Sequence, residues 1–376
     1  MKHSKPLAYI RQLCCLGLAK ETMILELLRI FKAIIPSEDS FFTGVDEHRR
    51  PAYVITDRFA ADWLDVYLNQ PEQRFTPEYN AKANQWFFTH RVLPDFRILY
   101  EQFYQRDFYH LALRPNNHHY ALQGAVYQNG CAAGVVVLCR PYNQSPYEPR
   151  HQQELERMLP YIDHGLETAR PESDQKYLSS GLMGLVILTR DGAVVSLSDS
   201  ARNLLLRTAY GVFPAGQIHF NRDMATPSPL RRACANLDRI FQNQEAPPPV
   251  CVHTNGSGRF IFRAYWMNPP SVIPHADALD HYPAEQALIG VLIEHQEPLR
   301  LRLCRAMQGS RLSIREQEVC LALADQLSYP AIAARLNLSP PTVATYVRRI
   351  HEKLGVGSRE ELLKTLLAAD SNAASS

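Results

Sequence analysis

The sequence predicts a multidomain chain in which two α+β units precede an all-α four-helix unit, and three observations carry that prediction. At 376 residues the chain is longer than one hydrophobic core serves well, so two or three domains follow. Two turn pairs, Asn129-Gly130 and Asp191-Gly192, sit between apolar stretches and mark hairpins in two separate places. Beyond Glu297-Pro298 the composition changes, and serine caps introduce one amphipathic helix after another.

The first unit is expected over residues 1–170. Ile24, Leu27, Leu28, Phe31 and Ile35 recur at helical spacing, and Pro36 ends that helix. An aromatic-rich stretch follows, with Trp63 and Tyr67 four residues apart and Trp86, Phe87 and Phe88 further on. Tyr120–Gln128 and Gly130–Arg140 read as strands joined at Asn129-Gly130, and CAAGVVVLCR is so nearly apolar that it belongs in the middle of a sheet. Arg150–Thr168 places Leu155, Met158, Leu159, Ile162 and Leu166 on one helical face.

Arg170–Lys176 is polar and reads as a linker to a second unit, expected over residues 178–298. There, GLVILTRDGAVVSLS is a hairpin, Asp199–Arg207 a helix, VCVHTNGSGRFIFRAYWM two strands around a glycine-rich turn, and Ala287–Glu294 a last strand. No repeat at a fixed period is present.

The formal net charge of +2 excludes an argument for nucleic-acid binding from total charge, so any such case must be local. It is local. From Leu299 to Lys364 there are eleven basic and six acidic residues, an excess of five that leaves the rest net acidic. The eight cysteines include no C-x-x-C pair, which argues against zinc and thioredoxin-like sites and for free thiols in a reducing compartment. MKHSKPLAYIRQLCCLGLAKE fits neither signal peptide nor anchor, and the longest apolar run falls short of the ~20 residues a membrane span needs. A cytoplasmic protein without a membrane partner is expected. Asn116-Asn117-His118-His119 reads as a solvated loop, because adjacent histidines on an extended segment point to opposite sides and cannot share a metal. No nucleophile, phosphate-loop or metal-hydrolase motif occurs, so no enzyme is expected and the sequence identifies no cofactor.

The last unit, residues 308–372, is the most legible. Ser313 and Glu316 form a capping box for a helix that turns Val319, Leu323 and Leu327 inward. Ser328 begins a short second helix that buries Ile332, Ala333 and Leu336. Ser339 caps a third, with Pro340 and Pro341 in its first turn and Gly355 suited to its left-handed stop. Ser358 and Glu361 open a fourth, which carries Leu362, Leu363, Leu366 and Leu367. Along the third, Val343, Val347, Ile350 and Leu354 make an apolar face, while Thr342, Thr345, Tyr346 and Arg349, extended by Arg348, Glu352 and Lys353, make a polar one. A short helix, a tight Asn337-Leu338 turn and a helix presenting hydroxyls and guanidiniums over 329–348 form a helix-turn-helix, the arrangement that enters a DNA major groove.

The stretch LSIREQEVCLALADQLSYPAIAARLNLSPPTVATYVRRIHEKLGVGSREELL resembles the LuxR-type (GerE-like) DNA-binding domain along its length, through Arg-Glu-x-Glu-Val, Ile-Ala, Thr-Val and Lys-Leu-Gly-Val-x-Ser-Arg. The resemblance implies a bacterial transcription regulator that binds double-stranded DNA as a homodimer and meets RNA polymerase. It also implies that Thr342 holds a phosphate, that Thr345, Tyr346, Arg348 and Arg349 face DNA and that Glu318 braces the core; Lys353, from the polar face, joins the expected DNA contacts, and Ile332, Ala333, Val343, Val347 and Gly355, from periodicity and capping, join the expected scaffold. Gln326 stands where the family has glycine, and Pro341 and Ala344 stand where it has lysines. Each missing lysine removes a phosphate contact, so binding by a monomer is expected to be weak and dimerisation more important; the alternative from another class is an interaction or anti-activator module that keeps the scaffold without strong DNA binding. Upstream, the first unit looks GAF-like and the second PAS-like, folds associated with small-molecule sensing. Trp63, Tyr67 and Trp86 are the candidate lining of a ligand pocket, against the reading that they are core aromatics.

Overall fold

The computed structural model describes residues 4–56, 77–100, 102–209, 213–214, 227–268 and 287–374. Helices α1 (Ser4–Cys14) and α2 (Lys20–Ile34) precede strands β1 (Asp39–Val45) and β2 (Pro51–Thr56), helix α3 (Pro77–Thr89) and a short β3 (Val92–Leu93). Then come the long strands β4 (Tyr120–Gln128) and β5 (Cys131–Arg140), followed by α4 (Pro149–Glu167). Asn129 and Gly130 both take positive φ, 51° and 75°, the backbone a two-residue hairpin loop requires. The strand order β3-β4-β5-β1-β2-β8, where β8 is Phe213–Pro214, puts β5 in the interior, as its composition predicts.

The sixth strand, β8 (Phe213–Pro214), arrives from the following unit and pairs with Tyr53 and Val54. The expected separation at 170–178 is thus crossed by a ladder. One face of this sheet is covered by α2 and α4, with Leu28, Phe31, Leu155 and Leu159 fully buried. The other is covered by the aromatic stretch from Phe96 to Leu113, where Phe96 and Phe103 stack at 4.5 Å.

His118 corrects the sequence reading. It is buried, and its Nε2 lies 2.9 Å from the Asp39 carboxylate, with the ring stacked on Phe41. His119 points the other way, stacking on Tyr104 and bonding to the Tyr109 hydroxyl at 2.6 Å. The opposed directions were expected; the solvated loop is replaced by a buried pair and an aromatic cluster.

In the second unit, β6 (Tyr177–Thr189) and β7 (Val194–Leu197) form the first hairpin and lead to α5 (Asp199–Ala209). Helix α6 (Ser228–Phe241), β9 (Val250–Asn255), β10 (Gly258–Asn268) and β11 (Leu288–Pro298) complete it. The five strands run β7-β6-β11-β10-β9, all antiparallel, and α5 and α6 lie on one face over Val186, Phe260, Phe262 and Val291.

From Pro298 the chain passes directly into α7 (Leu299–Gln308), then α8 (Ile314–Ala324), α9 (Tyr329–Leu336), α10 (Pro340–Leu354) and α11 (Arg359–Ala374). These helices do not form a separate core. Ile10 and Leu13 of α1, Cys304 and Met307 of α7, Val319 of α8, Ile350 of α10 and Leu366 of α11 belong to one contiguous buried cluster. All eight cysteines are free. Among the described residues no helix is long and apolar enough to cross a membrane, and no group of side chains is arranged to hold a metal ion.

Candidate nucleic-acid interface

Local sequence fixes each turn of the C-terminal helices. The Ser313 Oγ accepts from the Glu316 N–H at 3.4 Å, while the Ser313 N–H donates to Glu316 Oε2 at 2.6 Å, closing the expected box. Ser328 caps α9 on the Ala331 N–H. Asn337 then turns with φ 53°, a region asparagine tolerates, and the Leu338 N–H returns to the Ala333 carbonyl. Ser339 accepts from the Thr342 N–H at 3.3 Å with two prolines in the first turn, and Gly355 ends α10 at φ 65°. At the start of α11 the expected box is incomplete. Glu361 N–H reaches Ser358, but the Glu361 carboxylate accepts from Gly357 N–H at 2.7 Å, one residue earlier than expected.

Val343, Val347 and Ile350 bury one side of α10, together with Ile332 and Ala333 of α9. On the opposite side Thr342 and Thr345 are half-buried, and Arg348 and Arg349 are exposed. The Thr345 hydroxyl donates to the Pro341 carbonyl at 3.1 Å, and the Thr342 hydroxyl lies 2.7 Å from that of Ser339. Arg348 lies 3.8 Å from Glu352 one turn on, a weak exposed pair. Arg349 has no carboxylate partner among the described residues. An open groove of about 590 Å³ borders this surface between Tyr329 and Ala344, Arg348 and Glu352.

Two of the six candidate contacts are turned elsewhere. Lys353 Nζ sits 2.7 Å from Glu316 Oε2, pinning the end of α10 to the start of α8. Burial pushes the Glu316 carboxyl up, but Lys353 and the Ser313 N–H outweigh it and hold it below the usual carboxylate range. Tyr346 packs its ring against the buried cluster. The bracing role expected of Glu318 falls to Glu316: Glu318 is half-buried and pairs with exposed Arg315 at 2.7 Å, whereas Glu316 is buried and ties two helices.

Much of the local basic excess is likewise spent inside. Arg300 Nε donates to Asp325 Oδ1 at 3.0 Å, and its terminal nitrogens bind the other Asp325 oxygen and the Leu16 carbonyl. Asp325 also receives Arg335 at 2.8 Å. Arg302 joins Asp370 of α11, at 2.9 Å, to the Ser179 carbonyl of β6. Arg305 grips Glu26 of α2 with two nitrogens, at 2.8 and 3.1 Å, and Glu297 at the end of β11 at 2.9 Å; Tyr9 adds a hydroxyl donor to Glu26. These ties escaped the sequence reading because their partners lie up to 284 residues away.

In the proposed ligand pocket, Trp63 and Tyr67 lie outside the described residues. Trp86 is half-buried against the second core cluster, donates its indole N–H to the Val92 carbonyl at 2.9 Å and stacks on His90 at 4.3 Å. It acts as a packing residue that joins α3 to β3.

Capped helices, a left-handed asparagine turn and an outward hydroxyl-and-guanidinium face define the C-terminal unit as a helix-turn-helix domain. Residues 310–366 match the family model of bacterial regulatory proteins of the luxR family (GerE), so this segment is a LuxR-family domain. Over 48 residues the chain is 54% identical to the "Probable transcriptional regulatory protein NarL" of Mycobacterium tuberculosis, in strains CDC 1551 / Oshkosh and ATCC 25618 / H37Rv. That match covers 13% of this chain and 22% of those relatives, so the likeness spans about a fifth of their length. Among solved structures, the Vibrio cholera VqmA-Ligand-DNA complex is similar at 17% identity over 50% of this chain and 83% of that one, with a TM-score of 0.22. So slight a likeness carries no argument about function.

Proposed function

We propose that the chain is a sequence-specific DNA-binding transcription regulator that reads a two-fold site as a homodimer. The observation that carries this reading is the capped α9–turn–α10 unit, with Thr342, Thr345, Arg348 and Arg349 on its outer side. Threonine hydroxyls at the helix N-terminus suit phosphate oxygens, and exposed guanidiniums suit phosphates or guanine edges. A two-fold dimer would set half-sites one helical turn apart, or a multiple of it. The GAF-like and PAS-like units are read as sensors of a small molecule or partner, which bias how two such helices are presented to DNA and to RNA polymerase. Their direct route to the helix-turn-helix is α7, whose three arginines each join an upstream element.

The alternative, a scaffold retained for protein interaction, draws support from one observation. Lys353, Arg300, Arg302, Arg305 and Arg335 are paired internally, which leaves Arg348 and Arg349 as the cations of the outer face of α10. With two phosphate contacts per subunit, log affinity would fall with log salt at a slope of about −2 per monomer. Footprinting and gel shifts on the chain's own promoter region, at low and moderate salt, separate the readings. Salt-sensitive, sequence-selective protection supports the regulator; no selective binding at low salt overturns it.

A further inference from the structure

Among the described residues, the five-stranded sheet has one face covered by helices and one left bare. On the bare one, Met183, Leu185, Val250, Val252, Tyr265 and Met267 are each 40–56% exposed, far more than side chains lodged in a core. The strand register places them side by side. Val252, Ile261, Glu294 and Met183 form one row across β9, β10, β11 and β6, and Val250, Arg263, Leu292 and Leu185 form the next. Over the buried Gly290, Met267 and Leu185 converge so closely that a Cβ there would stand 3.1 Å from Met267 Cγ and 3.7 Å from Leu185 Cδ1. Within this apolar field lies one ion pair, Arg263 Nη1 to Glu294 Oε2 at 2.8 Å. The helices of this unit, α5 and α6, lie on the other face.

We infer that this bare sheet face is where a second copy of the chain docks. Four strands about 4.8 Å apart, with two rows shared by all four and two more carried on by Tyr265 and Met267 of β10 and their neighbours, give a mostly apolar field on the order of 15 Å by 20 Å. That footprint of about 300 Å² falls in the size range of the largest apolar patch of a monomer, which is often a functional one. Charge identifies the occupant. Among the described residues, the two rows carry a single cation and a single anion side by side, so they are neutral and complementary to themselves, and Arg259, stacked on Tyr177, stands at their edge in the adjoining row. A two-fold axis through it sets Arg263 of each copy against Glu294 of the other, as an isologous contact requires. A partner of one sign of charge would face a mismatch at one of the two groups.

The inference deepens the reading of a two-fold DNA site and names the surface that supplies its symmetry. The test is sedimentation equilibrium of the full chain without DNA, at micromolar concentration. The wild type is expected to be a dimer, and the double variant Leu185→Glu with Val252→Glu, which buries acids in the contact, to dissociate with a Kd raised about 100-fold or more. Arg263→Glu and Glu294→Arg are each expected to weaken the dimer through like charges. Mixing these two single variants restores it, because one chain then carries only acids and the other only guanidiniums at the two positions; native mass spectrometry reads the mixed species by mass. This arm does not depend on the double variant folding. A monomeric wild type, a double variant that folds and dimerises as the wild type does, or a mixture without preference for the mixed dimer each overturns the inference. A wild-type dimer broken by these changes but unable to footprint any promoter would leave the interface standing and sink the DNA reading.

Discussion

Arg305 and Arg349 belong to helices of one buried cluster, yet one is held in a fork by a buried carboxylate and the other extends into water. The difference lies in what faces each helix. α7 is wedged between α1, α8, α11 and the end of β11, so its cations meet carboxylates and carbonyls of the chain itself. Among the described residues α10 packs chiefly against α8, α9 and α11 on one side, and on its outer side Arg348 and Arg349 are exposed. A count of basic residues therefore overstates the surface offered to DNA, and the partner of each guanidinium decides its use.

The largest effect is expected from breaking the inner member of that contrast. Arg305→Ala leaves buried Glu26 with only the more distant Arg29, at 3.5 Å, and half-buried Glu297 without its counter-ion, a change that costs about 3–5 kcal/mol, read as a lower urea midpoint. The acid limb carries the same information. Burial raises the carboxyls of Glu26, Glu297 and Asp325, but their arginines outweigh it and hold each below the ordinary carboxylate range. The unfolded chain therefore takes up protons first as the pH falls. The stabilisation is complete above the ordinary values near 4 and is lost as the pH falls through the lower folded ones. Arg305→Ala should flatten that limb, and an unchanged limb would show that Glu26 and Glu297 are not held by this guanidinium.

The outer member should respond in the opposite currency. Arg349→Ala with Thr345→Ala is expected to weaken DNA binding by about 10- to 100-fold, the cost of a lost base or phosphate contact, with stability within about 0.5 kcal/mol. Lys353→Gln supplies the counter-example. It unpairs Glu316, so the domain loses stability while the salt slope of DNA binding stays as it was. A reduced slope for Lys353→Gln would return that lysine to the DNA face.

The contrast also marks what could be read in advance. Caps, hairpin turns and apolar periodicity are set within a few residues, so Ser313, Ser328, Ser339, Gly355 and Asn129-Gly130 were all legible. Helix α1 was not read, because Arg11 and the Cys14-Cys15 pair hide its pattern, and neither was α6, which begins beside Pro227 and Pro229. The choice of Glu316 over Glu318 was half legible: the capping box already gave Glu316 a backbone partner at Ser313, and only the fold brought Lys353 to it. His118 and Asp39 lie 79 residues apart, and Arg305 and Glu26 lie 279 apart, distances over which no spacing rule operates.

The smallest expected effect comes from a residue that touches neither member. Gln326 ends α8 with φ 63°, its N–H bonded to the Leu323 carbonyl at 2.8 Å, in the left-handed region that Asn337 and Gly355 occupy at the ends of α9 and α10. A side chain with a Cβ pays about 1–2 kcal/mol there, and glutamine lacks the short reach with which asparagine offsets it. Gln326→Gly removes that strain but returns some of the gain through a more flexible unfolded chain, leaving a net stabilisation of about 0.5–1 kcal/mol. Because Gln326 precedes α9 and lies off the outer face of α10, the same variant should bind DNA as the wild type does. A midpoint that fails to rise would mean the turn is held by contacts of the glutamine side chain itself. A changed footprint would mean that the α8–α9 turn takes part in the reading surface, which would move the boundary between the inner and outer regions by one helix.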